Sequence, residues 1–252
     1  MAVSMSEAML AFACGKPDHS AGDPTAADEP SMNYPIQDLN HAYLGSSIYG
    51  LLREALISGR FRPDDKLRIR DLAEQLGTSV TPVRDAILQL AKEQALVLKT
   101  PRDIRVPVLT REQYLEIRSI RLALEGLAAE TAASRVTPAQ LAMLESNIRD
   151  NLAAIHADDL AAALKLNQAF HYALADIAGM PLLGGFLDSL WMRTGPLIAL
   201  AYGSFNERMA IDHHWEVLRA LQQGNGTAAR EAICTDILDG NERMIEFIEQ
   251  KG

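Results

Sequence analysis

The sequence predicts a mainly α-helical protein in two parts: a small N-terminal module of helices with one β-hairpin, then an antiparallel helical bundle. Three observations carry this. Residues 66–98 hold two short amphipathic runs joined at Gly77-Thr78, the pattern of two helices meeting at a tight turn. Leu96-Val-Leu and Ile104-Arg-Val-Pro-Val, two short β-rich runs, flank Lys99-Thr-Pro-Arg-Asp and read as a hairpin. From Thr110 onward the apolar spacing is helical and is interrupted only at Gly- and Pro-bearing breaks.

Residues 1–40 are rich in Gly, Pro, Ala, Asp and Ser and predict a disordered arm, because they cannot bury enough apolar surface to fold. Residues 43–58 predict an amphipathic helix, with Leu44, Ile48, Leu51, Leu52, Ala55 and Leu56 toward a core and Ser58-Gly59 at its end. Phe61-Arg-Pro-Asp-Asp is a turn before the helix pair. The first helix of the pair carries Leu67, Ile69, Leu72, Ala73 and Leu76. The second opens at Ser79, whose hydroxyl suits an N-cap, and has Pro82 in its first turn. It buries Val83, Ile87 and Leu90 and turns Thr81, Arg84 and Leu88 the other way. A turn followed by a helix with hydroxyls and Arg on its N-terminal face is what a major-groove reader needs; two ordinary packed helices carry the same pattern. With the hairpin, residues 41–109 become a winged helix-turn-helix, with Lys99, Arg102 and Arg105 placed for phosphate contact.

Residues 110–252 predict six helices. Thr110-Arg-Glu-Gln is a capping box opening residues 111–134. Thr137-Pro-Ala-Gln is a second, opening a helix to His156. The others span 158–178, 181–201, 206–223 and 226–248, with breaks at Ala178-Gly-Met-Pro, Tyr202-Gly-Ser and Gly224-Asn-Gly. Short links make the neighbours antiparallel.

The 252 residues carry a net charge of −9, which over the whole chain disfavours nucleic acid. The charge is uneven. Residues 41–109 hold eleven basic and eight acidic residues, and the segments on both sides are acidic. A positive module on an acidic body can bind DNA while the body does something else. Cys14 and Cys234 lie in unlike contexts, so no disulfide framework is expected, which fits a cytoplasmic protein. No apolar run reaches about 18 residues, so no membrane span is expected, and the start lacks a signal-peptide pattern.

The N-terminal module resembles the GntR family of bacterial transcription regulators. The match rests on Tyr49-x-x-Leu52-Arg53, Ile57-Ser-Gly, Pro63, Leu72-Ala, Leu76-Gly-Thr-Ser, Thr81-Pro-Val-Arg-Asp-Ala-Ile and Glu93-x-x-Leu96-Val. The rest resembles the all-helical FCD ligand domain of the FadR-like branch, through Arg121-Leu-Ala-Leu-Glu125, Asn167-Gln-Ala-Phe-His171, Met180-Pro-Leu-Leu, His214, Leu218-x-Ala-Leu and Gly224-x-x-x-Ala-Ala-Arg. The resemblance implies a homodimer on a palindromic double-stranded operator, acting most simply as a repressor, with a small carboxylate effector in the bundle controlling DNA affinity. It implies DNA contacts from Arg70, Ser79, Thr81 and Arg84. The family commonly has Arg where this chain has Val80, so a different operator is expected; Val can pack on a thymine methyl.

Four further positions match family metal ligands. Asn167 and His171 are i, i+4 on one helix; His214 and Asp236 lie on later ones. The family typically has Asp, His, His, His; here the first is Asn and the last Asp. Two imidazoles, a carboxylate and an amide oxygen form an N/O set for Zn²⁺, Ni²⁺ or Mn²⁺. The alternative is two hydrogen-bonded bundle histidines without metal. The family position of Arg121 implies a grip on the effector carboxylate; an Arg121–Glu125 pair on a solvated face is the alternative. From a different class, His171, His214 and Asp236 could serve a metal-dependent hydrolase, though that would leave the N-terminal module without a role.

Overall fold

The computed structural model describes residues 47–204 and 211–251. The expected N-terminal arm, residues 43–46 of the first helix and residues 206–210 of a later one lie outside the described residues. In the N-terminal module, α1 spans Ser47–Ile57, β1 Lys66–Leu67, α2 Ile69–Gln75, α3 Val80–Lys92, β2 Val97–Thr100 and β3 Asp103–Arg105. Gly59 stops α1 at φ +66°, and Gly77, at φ +61°, makes the turn between α2 and α3. The strands form one antiparallel sheet in the order β1-β3-β2. The hairpin is therefore present, but β1 is new: Leu67, expected in the helix pair, instead lies opposite Ile104. A two-residue strand has no periodicity of its own; the free edge of β3 makes it. Leu52, Leu56, Phe61, Leu72, Ile87 and Leu90 are fully buried and join the helices into one core.

The bundle consists of α4 (Arg111–Ala132), α5 (Pro138–His156), α6 (Leu160–Ile177), α7 (Pro181–Ser204), α8 (Asp212–Gln222) and α9 (Gly226–Lys251). Both capping boxes form. Thr110 and Thr137 accept from the backbone N–H of Gln113 and Gln140, whose side chains accept in return from the threonine N–H groups. The expected break at Tyr202-Gly-Ser is not there: α7 runs through it to Ser204, with Pro196 in its interior. Helix α9 packs along α4 and α8, and α6 packs on α5 and α7, so α4, α6, α7, α8 and α9 can all face a common interior.

The two parts meet where α1 lies on α7. Their approach is close enough to require glycine. A Cβ on Gly195 would sit 2.4 Å from the carbonyl oxygen of Leu56 and 2.5 Å from that of Ile57. Gly195→Val is accordingly expected to lower stability by about 3 kcal/mol in urea unfolding, since backbone rather than a flexible side chain must give way. Gly184 is also in α7 but has nothing within 4 Å of its would-be Cβ. Gly184→Ala should therefore stabilise by about 0.5–1 kcal/mol through helix propensity.

Candidate functional site

Two faces carry the chemistry. The first is the N-terminal end of α3. Ser79, Thr81 and Arg84 are all exposed there, as is Arg70 at the start of α2, while Val83, Ile87 and Leu90 are buried. Ser79 has the extended backbone of an N-cap (φ −79°, ψ 161°), but its hydroxyl makes no capping bond. The physical reason is Pro82. It falls at the third helical position and lacks one of the two N–H groups a capping side chain can take. Val80, expected to meet a base, is half-buried and packs partly against the module's own core. Among the basic hairpin residues, Arg105 lies in β3 and not at the tip, held by Asp103 at 2.8 Å and Asp64 at 3.0 Å. Lys99 lies 3.9 Å from Asp64, and Arg102 is exposed.

The second is a cavity of about 250 Å³ inside the bundle. Tyr114 and Arg121 of α4, Asn167 and His171 of α6, and Trp191 and Tyr202 of α7 line it, with Asp212 and His213 of α8 and Asp236 and Asp239 of α9 opposite. His214 sits fully buried beside it. One ligand atom from each of His171, His214 and Asp236 falls within a 4.8 Å cluster. The Asp236 carboxylate reaches both rings: Oδ2 is 3.3 Å from His171 Nε2, and Oδ1 is 3.5 Å from His214 Nε2. The neighbouring His213 also borders the cavity but stands outside this cluster, held at 2.7 Å by both Glu216 and Asp239. Asn167 shares the cavity with His171, as i, i+4 spacing requires.

Behind His171 stands Glu125. Its Oε2 is 2.5 Å from His171 Nδ1, and both its oxygens take hydrogen bonds from Arg121. The Arg121–Glu125 pair thus forms, but buried, not on a solvated face. Its place was readable only in hindsight. Glu125 continues the stripe of Tyr114, Ile117, Arg121 and Ala128 that α4 turns inward. The Arg121 guanidinium carbon lies 4.3 Å from the centroid of the Trp191 ring, and Phe170 stacks on His214 at 4.0 Å.

These contacts set the protonation of the site. Burial pushes the Glu125 carboxyl up, but Arg121 and His171 outweigh it and hold the group at about 2. Burial pulls His171 down, while Glu125 and Asp236 pull harder and raise it to about 9. Burial lowers His214, which stays neutral, and both imidazoles hold Asp236 well below the usual carboxylate range against its own burial. Nδ1 of buried His214 has no hydrogen-bond partner, and Nε2 has only the long 3.5 Å approach of Asp236 Oδ1. Two imidazole nitrogens and one carboxylate oxygen, with no short hydrogen bond occupying His214 Nε2, fit a divalent ion. Glu125 supplies the outer support usual for such a site, fixing Nδ1 of His171 so that Nε2 faces inward.

Residues 44–106 match the model of the gntR family of bacterial regulatory proteins, and residues 116–238 match the FCD domain. The transcriptional regulator McbR of Escherichia coli is 30% identical over 198 residues, covering 77% of this chain and 90% of its own length. The chain belongs to the GntR family. It is a transcription regulator of the GntR type with an FCD domain. The E. coli repressor RspR is 26% identical over 226 residues, covering 88% of this chain and 95% of its own. The solved structure of E. coli McbR/YncC superposes with a TM-score of 0.75 at 28% identity, over 83% of this chain and 98% of that one. A GntR regulator from Rhodococcus sp. RHA1 shares the fold, with a TM-score of 0.66 at 22% identity. The hydrolase alternative is overturned: the GntR and FCD families and these relatives are regulators, not enzymes. Among the described residues, no helix is long and apolar enough to cross a membrane.

Proposed function

We propose that this GntR regulator acts in the cytoplasm as a homodimeric repressor whose operator affinity is controlled by a small carboxylate effector bound beside a divalent ion. The observation that carries the reading is the cluster of His171, His214 and Asp236 at the wall of the cavity, with Arg121 facing the same space. The ion, Zn²⁺, Ni²⁺ or Mn²⁺, would be held by His171, His214 and Asp236, with Asn167 as a fourth, weaker donor. When bound it would supply positive charge, and the cavity needs it. Arg121 is already paired with Glu125, and Asp236 faces the cavity, which exposed Asp212 and Asp239 also line. The ion would offset the Asp236 carboxylate that an entering anion otherwise meets. About 250 Å³ suits a small organic acid, not an acyl chain.

On the DNA side, Arg70, Ser79, Thr81 and Arg84 would meet the operator. The missing cap bond leaves the Ser79 hydroxyl available to phosphate, and Arg84 can make a bidentate contact with guanine. The effector would act by population shift, changing how the two modules of the dimer are held.

The test is fluorescence anisotropy with labelled duplex taken from beside the regulator's own gene. Saturable binding that weakens steeply with salt is expected. No such binding, with or without Zn²⁺, would remove the reading. Glu125→Ala gives a second check. It leaves all the ligands in place but frees His171 Nδ1, and should weaken Zn²⁺ binding by about 10–100-fold in isothermal titration calorimetry.

A further inference from the structure

Helix α7 bears on both the cavity, through Trp191, and the N-terminal module, through Asp188 and Arg193. Trp191 lies on the cavity side, its ring under Arg121 and 5.5 Å from that of His171. Two residues on, about 200° around the helix, Arg193 points the other way. Its Nη2 donates to the backbone carbonyl of Glu93 at 3.2 Å. Glu93 is the C-cap of α3, the helix whose other end bears Ser79, Thr81 and Arg84. The same Glu93 accepts from the Tyr49 hydroxyl at 2.7 Å, and Asp188 of α7 pairs with Arg53 one turn along α1 from Tyr49. Gly195 closes the contact against the last carbonyls of α1.

The recognition helix is therefore gripped at its C-terminal end from the bundle. A helix C-terminus carries unpaired carbonyls and partial negative charge, which a guanidinium complements. We propose that Arg193 is a positioning residue for DNA binding: it ties the C-cap of α3 to α7, and α7 carries changes at the Trp191 face of the cavity to the recognition helix. Arg53–Asp188 and Gly195 are the fulcrum on which α7 bears. This rests on the regulator reading above, since it assigns the route by which the cavity would reach the operator. Arg193 lines the groove between the parts together with Leu190 of α7 and Leu96, the residue before β2. The direction is set by geometry: α7 cannot shift along its axis without moving either the Trp191 ring or the Glu93 carbonyl.

Amide hydrogen exchange on the full chain tests it without an effector. In Arg193→Gln, exchange at residues 91–96, the end of α3 and its cap, is expected to rise about fivefold, with exchange in α5 and α6 unchanged. Operator affinity should fall by a similar factor, and Arg193→Lys should recover part of both. Zn²⁺ alone should change exchange at residues 91–96 in the wild type and leave it unchanged in Arg193→Gln. Unaltered exchange at 91–96 in Arg193→Gln, or an equal Zn²⁺ response in both proteins, or none in the wild type, would overturn the proposal. If Arg193→Gln loosens residues 91–96 and the wild type binds no operator, the regulator reading fails while the tie from α7 to α3 stands.

Discussion

Asp236→Ala is expected to abolish Zn²⁺ binding at micromolar protein, a loss well beyond the about 10–100-fold that supporting residues cost. Asp236 is the one carboxylate in the cluster, and its two oxygens face the two imidazoles. Removing it leaves two nitrogens converging on nothing anionic, with Glu125 already committed to Nδ1 of His171 and to Arg121. Asp236→Asn keeps the shape and deletes the charge, so it separates geometry from electrostatics: binding should weaken in the same direction, though less than in Asp236→Ala. The measurement is calorimetric titration with Zn²⁺, paired with metal content of protein purified without chelator. One equivalent bound at near wild-type affinity in Asp236→Ala would mean that the ion sits elsewhere.

The second large effect is expected at the other end of the molecule. Arg84→Ala should weaken operator binding by about 10–100-fold, and should do so for the preferred operator far more than for unrelated DNA, because a lost bidentate base contact costs discrimination as well as affinity. Arg84 is exposed on α3, while Val83 and Ile87 carry the packing, so the variant should fold normally. Arg102→Ala on the hairpin is the comparison. A phosphate contact there would weaken all DNA about equally and lower the salt slope by about one. If Arg84→Ala behaved like Arg102→Ala, α3 would be touching phosphate rather than bases.

Much of this was legible in the residues, and the reasons differ from place to place. The two capping boxes and the stops at Gly59, Gly77, Gly179 and Gly224 are local devices, and each stands where its residues put it. His171 and Asn167 share a face because helical spacing leaves no other choice. His214 clusters with His171 and Asp236, while the adjacent His213 pairs with Glu216 and Asp239. Most of what was not legible depends on contacts distant in sequence. Strand β1 exists only because β3 offers an edge. The capping bond of Ser79 is missing because two local signals, a cap hydroxyl and an early proline, compete for the same first turn. Glu125 looks like half of a surface pair until α6 and α9 enclose it. Gly195 gives no sign of its role until α1 is laid against it.

The most direct test of the whole is operator affinity measured by anisotropy on one preparation, first stripped with chelator and then reloaded with Zn²⁺, with the duplex and salt held constant. Reloading with Zn²⁺ should reproducibly shift the dissociation constant in the wild type and produce no shift in Asp236→Ala. Salt-sensitive binding of identical strength in all four samples would contradict the link between the cavity and the DNA-binding face.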